Sequence, residues 1–170
     1  LVIHSRDRDL VVGTHGRGMF IIDDISALQQ VSADALKEPA ALFEPRTAVI
    51  YPRQFGRGSI SGARKWTAPN PATGAKIWYY VSEQLKDEDV SIDILDGNGK
   101  KVGRARTKDG VGMLSATIRV GIGPARRTGG RRGGAAAQQS SRLGPGSYTV
   151  LMKIGDQEYR KPLTVEAVSN

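Results

Sequence analysis

Apolar and polar residues alternate through the second half of the chain. In residues 76–81, Ile77, Tyr79 and Val81 fall on one face, and Trp78 and Tyr80 on the other. Val90, Ile92 and Ile94 alternate with Ser91 and Asp93. Leu114, Ala116, Ile118 and Val120 alternate with Ser115, Thr117 and Arg119, and Tyr148, Val150, Met152 and Ile154 with Thr149, Leu151 and Lys153. A period of two is the signature of strands with one buried face. Shorter strands are predicted at 101–105 and 159–165. Asp96-Gly97-Asn98-Gly99 and Gly155-Asp156 supply turns, because Gly and Asn adopt positive φ at little cost. Six or seven short strands separated by turns predict a mainly β chain, with an antiparallel immunoglobulin-like β-sandwich over residues 73–167. Leu143-Gly144-Pro145-Gly146 is a tight turn just before Tyr148. That placement predicts a tyrosine whose hydroxyl bonds back to nearby backbone, as immunoglobulin-type folds often have.

The first half reads differently. Two apolar runs, 10–12 and 19–22, flank Gly13-Thr14-His15-Gly16-Arg17-Gly18 and end on Asp23-Asp24. This pattern predicts a β-hairpin. A lone hairpin is marginal in water, and no obvious partner strand lies beside it in the sequence. Asp24 or Ser26 is placed to cap a short helical turn, and Ser32 a second one, which Pro39 ends. Residues 41–43 and 47–51 look extended, and Pro45 and Pro52 confine them to edges or linkers. Residues 53–71 are rich in Gly, Ser, Pro and basic side chains, and read as a mobile connection at a domain boundary. The whole span 26–72 is therefore expected to be a linker.

Charge adds one feature. The chain has 170 residues, with 25 Lys+Arg against 17 Asp+Glu, a net charge of +8. Five arginines (Arg126, Arg127, Arg131, Arg132 and Arg142) fall between positions 121 and 145 with no acid among them. A disordered basic loop is expected at 121–143. The absence of cysteine excludes disulfides, thiolate zinc sites and thiol nucleophiles. No apolar run approaches the ~18 residues of a membrane span, so membrane insertion is not expected. The chain opens on Leu1 and runs directly into strand-like sequence, with no leader pattern. The expectation is a fragment of a longer protein.

The run from Asp9 to Ile25, with Thr14-His15-Gly16-Arg17-Gly18 followed by apolar residues and Asp23-Asp24, resembles the closing stretch of sortilin-type β-propellers with neuraminidase-like (BNR) repeats, large bacterial proteins often called glycosyl-hydrolase-like. In that family such a run ends the last blade, and a linker and an immunoglobulin- or fibronectin-III-like sandwich follow. Pro69-Asn70-Pro71 and the Tyr79-Tyr80 strand fit the same order. The resemblance implies that residues 1–25 are the last strands of a propeller blade. It makes His15, Gly16, Arg17, Gly18, Asp23 and Asp24 structural motif residues, and it implies an exported protein, secreted or periplasmic. The Asp-box turn of the family is absent, and the basic stretch has no counterpart in it.

Little points to catalysis. His4 and His15 are the only histidines, no metal-ligand spacing is present, and no cofactor is expected. Asp23 and Asp24 would face opposite sides of a strand, which does not make the carboxylate pair of glycoside chemistry. Gly13, Gly16 and Gly18 superficially match a phosphate loop, but strand residues follow where a helix should. The arginine-rich loop has the composition of an RNA tether without interleaved aromatics, so nucleic acid is a minor expectation. Trp66, Trp78, Tyr79 and Tyr80 include one candidate ligand surface: Trp78 and Tyr80 on one strand face, able to stack on a sugar or on the propeller. The expected function is that of a non-catalytic accessory region, partnered by an upstream propeller of the same chain. A carbohydrate-binding module and a polyanion-binding loop are the alternatives.

Overall fold

The computed structural model describes residues 1–16, 18–51, 74–121 and 142–168. Its strands are β1 (Val2–Ile3), β2 (Leu10–Thr14), β3 (Gly18–Ile22), β4 (Ala40–Leu42), β5 (Ala48–Ile50), β6 (Ala75–Val81), β7 (Val90–Leu95), β8 (Lys101–Arg104), β9 (Gly112–Ile118), β10 (Gly146–Ile154) and β11 (Gln157–Ala167). One short helix, α1 (Ser26–Gln30), follows β3, and a single 3-10 turn (Glu83–Leu85) follows β6. The protein is mainly β, as the alternation requires.

The strands form three sheets, in the orders β1-β2-β3, β5-β11-β10-β7-β8 and β4-β6-β9. The last two face each other across one core. From β6 come Ala75, Ile77, Tyr79 and Val81; from the opposing sheet come Ile92, Ile94, Val150, Met152, Ile154, Leu163 and Val165, all buried in one cluster. Each buried residue is followed by a less buried one along β6, so the period-two pattern becomes one wall of the sandwich. If β4, β6, β7, β8, β9, β10 and β11 are read as A, B, C, C′, E, F and G, the sheets are A-B-E and C′-C-F-G, an immunoglobulin-type order. The D position is reduced to a single bridge, Arg106 with Thr117.

Two findings correct the sequence reading. The span 26–72 is not all linker, because β4 pairs with β6 and β5 pairs with β11. Ala40, Leu42, Ala48 and Ile50 carry enough apolar surface to enter the core, and both strands lie at sheet edges, where the neighbouring prolines cost no ladder bond. The second correction is that β5 runs parallel to β11, whereas every other strand pair is antiparallel. Between β4 and β5, within residues 43–47, the chain passes from one sheet to the other. The predicted turn at Ser32 forms as a turn without a helix: Ser32 Oγ accepts the Ala35 N–H at 3.1 Å. The mobile connection at 53–71 and most of the basic loop lie outside the described residues. The ends of that loop meet, since Val120 bridges Leu143 and the Gly121 N–H donates to the Leu143 carbonyl at 2.9 Å.

On the outer face of the larger sheet, Asp93 accepts from Arg104 Nε at 2.7 Å and lies 2.8 Å from Lys101 Nζ. Burial opposes ionisation of Asp93, but the hydrogen bonds from Arg104 and Lys101 together outweigh it and hold the carboxyl below the usual aspartate pKa. A depressed folded pKa stabilises the fold above the unfolded aspartate pKa, and the contribution disappears as pH falls through the folded value. Asp93→Asn should therefore lower the Tm at neutral pH, with a loss of about 1 kcal/mol. Thermal melts from pH 7 down to about pH 2 should show the gap to wild type closing below the aspartate range.

Gly74, at φ +150°, enters β6 directly beneath the Ile118 carbonyl, and a Cβ there would fall well inside contact distance of that oxygen. Gly74→Ala should destabilise the sandwich by about 1–3 kcal/mol, measured by urea denaturation.

Candidate functional site

The ribbon β1-β2-β3 stands apart from the sandwich sheets. Its hairpin register pairs Leu10 with Ile22, Val12 with Phe20 and Thr14 with Gly18. Gly16 and Gly18 take positive φ, +78° and +125°, which closes the turn at little cost. Thr14 Oγ1 donates to the Gly18 carbonyl at 2.9 Å. His15 and Gly16 lie in this exposed turn. Arg17 lies outside the described residues.

The surface of the ribbon is unusual. β3 shows no alternation, with Met19 70%, Phe20 60%, Ile21 59% and Ile22 50% exposed. Leu1, Val2 and Ile3, at the opposite edge of the ribbon beyond β2, are exposed as well. Successive strand side chains point to opposite faces, so apolar surface is open on both sides of the ribbon. The outer edge of β3 also has no strand partner among the described residues. A strand that is apolar on both faces belongs in a sheet covered on both faces.

The foot of the ribbon is polar and closed. Asp23 is exposed, whereas its neighbour Asp24 is 3% exposed. The burial of Asp24 separates the two carboxylates, though not by strand alternation, since β3 ends at Ile22 and Asp24 has a left-handed backbone. Asp24 Oδ1 accepts the Ser26 hydroxyl at 2.6 Å and the Ser26 N–H at 3.3 Å, and Oδ2 accepts the Trp78 indole N–H at 3.3 Å. The Asp24 N–H donates to Asp9 Oδ1 at 2.9 Å. The side chain expected to cap α1 therefore sits one residue before Ile25, the N-cap, which makes no side-chain cap bond itself.

Further contacts join ribbon and sandwich. Arg8 Nη1 donates to Gln29 Oε1 at 2.8 Å, and Arg46 Nη1 to the Asp7 carbonyl at 2.6 Å. Arg6 Nη2 donates to Asp7 Oδ2 at 2.9 Å and to the Tyr51 hydroxyl at 3.0 Å. The hydrogen bond from Arg6 is the main cause holding the Asp7 carboxyl below its ordinary pKa, against partial burial. The sequence marks Ser26 only as a helix cap and Asp9 only as the start of the hairpin run, and gives no role to Arg8 or Arg46. The only other local signal was a high density of charge at 5–9, which does not reveal partners about 40 residues away.

Trp78 and Tyr80 share the outer face of β6, half-buried, as the alternation placed them. Trp78 is already engaged: its N–H is bonded to Asp24, and Lys76 Nζ lies 4.1 Å from its ring centroid. A sugar would have to displace both contacts to stack there. Tyr79 turns inward and is fully buried, with its hydroxyl donating to the Lys108 carbonyl at 3.0 Å and accepting the Lys108 N–H at 3.2 Å. Burial pushes its pKa up, and the nearby Asp109 charge adds to the effect. The Tyr148 hydroxyl donates to the Gly144 carbonyl at 3.0 Å, four residues upstream, in the geometry of a tyrosine corner. Trp66 lies outside the described residues. Among the described residues no group of three or more His, Cys, Asp or Glu is arranged to hold a metal, and no helix is long and apolar enough to cross a membrane.

Searches against protein-family models, curated proteins and solved structures found no match for the chain.

Tyr148→Phe removes one hydrogen bond and leaves the ring in place. The expected loss is about 1 kcal/mol, read from the urea midpoint with an unchanged m value.

Proposed function

We propose that the chain is a non-catalytic accessory region of a larger β-propeller protein, with the ribbon as the closing strands of a blade and the sandwich packed on or spaced from that propeller. The observation that carries this reading is the exposure of β3 on both faces and along one edge, with four large apolar residues in succession. A propeller blade has the matching geometry: it is a small sheet covered on both faces by its neighbours in a radial array. The resemblance of residues 9–25 to the end of a sortilin-type propeller supports the same reading and adds the expectation of export. The chemistry agrees: the Asp24 carboxylate is surrounded by donors that hold it, and Asp23 does not converge with it on a common point.

The test compares backbone hydrogen exchange at residues 18–22 in the 170-residue chain and in the longest chain that the surrounding reading frame encodes. Fast exchange is expected in the shorter chain, with strong protection in the longer one, where neighbouring strands cover both faces. Equal rates in the two chains would remove the proposal. So would concentration-dependent protection in the 170-residue chain alone, which would make a second copy the cover.

A further inference from the structure

The three donors to the Asp24 carboxylate come from two parts of the fold, two from Ser26 at the start of α1 and one from Trp78 on β6. We infer that Asp24 is a latch that sets the angle between ribbon and sandwich, and that Trp78 is its catch rather than a ligand platform. The inference does not depend on what covers the ribbon.

Asp24 is the residue where β3 has ended and α1 has not begun. Its backbone is left-handed at φ +56°, one of two non-glycine residues among those described with positive φ; the other, Arg8, lies in the facing loop of the ribbon. Such a conformation is unfavourable for an L-residue and persists where surrounding bonds hold it, with Asp and Asn the most tolerant side chains. Here one carboxylate oxygen takes both Ser26 donors at the start of α1, and the other takes the indole N–H from the middle of β6. The Asp24 N–H returns to Asp9 beside β2, and the Ile25 N–H to the Arg8 carbonyl at 2.8 Å. One residue thus ties both ends of the hairpin to a core strand.

A buried carboxylate that loses a donor is left partly unsatisfied, at a cost well above that of an exposed hydrogen bond. Among the described residues no cation pairs with Asp24, so three neutral donors carry its charge. Rotating the ribbon away from β6 would break the Trp78 bond and leave Oδ2 without its donor. The orientation of the catch is itself held, since Lys76 covers the Trp78 ring and the Trp78 carbonyl accepts the Phe43 N–H at 3.1 Å. The outer pair of contacts, Arg46 with Asp7 and Arg6 with Tyr51, restrains the far side of the same joint.

The test uses the absence of cysteine. Met19→Cys on β3 and Glu166→Cys on β11 give the only two thiols in the chain, both at exposed positions, for nitroxide labels. The double electron–electron resonance distance distribution should be narrow in this background. It should broaden when Trp78→Phe removes the indole N–H, and again when Asp24→Gly removes the carboxylate while keeping a residue at ease with positive φ. Hydrogen exchange of the same proteins should show the Asp24 and Ile25 amides, or Ile25 alone in the first and second case respectively, opening about tenfold faster, with β10 and β11 unchanged. Combining the two substitutions should give no more than Asp24→Gly alone, because that substitution already removes the acceptor of the Trp78 bond. An unchanged distance distribution in both variants overturns the latch. So does equal acceleration of the β10 and β11 amides, which would assign Asp24 to general stability instead.

Discussion

The face of β6 that carries Ile77, Tyr79 and Val81 cannot remain in water, and the architecture of the sandwich follows from where that face is buried. The opposing wall comes from Ile92 and Ile94 on β7, Val150, Met152 and Ile154 on β10, and Leu163 and Val165 on β11. Fully burying one such side chain contributes about 1.5–3 kcal/mol. A register slip by one residue would turn every one of these side chains to the wrong face. The pairing of β10 with β7 and β11 is therefore specified by the core itself. The loops can then vary freely, and the basic segment leaves and returns at a single closed point, Val120 with Leu143.

The ribbon is subject to the same physics without the same solution. Its three strands pair among themselves and Leu10, Val11 and Val12 of β2 are half-buried, but the side chains of β3 remain in solvent on both faces. Hydrogen bonding holds the hairpin together at the turn, and polar contacts hold its foot against the sandwich. Neither buries Met19, Phe20, Ile21 or Ile22. This contrast, a sandwich with its apolar surface covered and a ribbon with its apolar surface open, supports the reading of the chain as one part of a larger β assembly. The joint between the two buries Ile25 and Ala27 beside its polar contacts, and it is the polar contacts that are directional. An apolar seat would let the ribbon slide, whereas a carboxylate held by donors at fixed positions favours one angle.

Much of the sandwich was legible along the chain. The alternations at 76–81, 90–94, 114–120 and 148–154 each correspond to a strand with its expected face inward. The turn at Asp96-Gly97-Asn98-Gly99 joins β7 to β8, with Asp96 Oδ1 accepting the Asn98 and Lys100 N–H groups at 2.9 Å. The edge strands were only half legible. Ala40, Leu42, Ala48 and Ile50 form segments of three residues each, too short for a period to be read, and the prolines around them argued equally for linker and for edge. The site followed the same division. Trp78 was assigned to the correct face, but its bond to Asp24 spans 54 residues, and no local pattern encodes a contact of that separation.

Local chemistry alone determined the strand faces, the glycine turns and the backbone-bonded tyrosine at position 148, because each depends on neighbours within a few residues. Only the tertiary structure decided that β5 runs parallel to β11, that residues 40–50 belong to the sandwich, and that Trp78 receives a buried carboxylate instead of facing open solvent. Those outcomes depend on which distant surfaces meet when apolar faces are buried together, and that geometry exists only once the chain has folded.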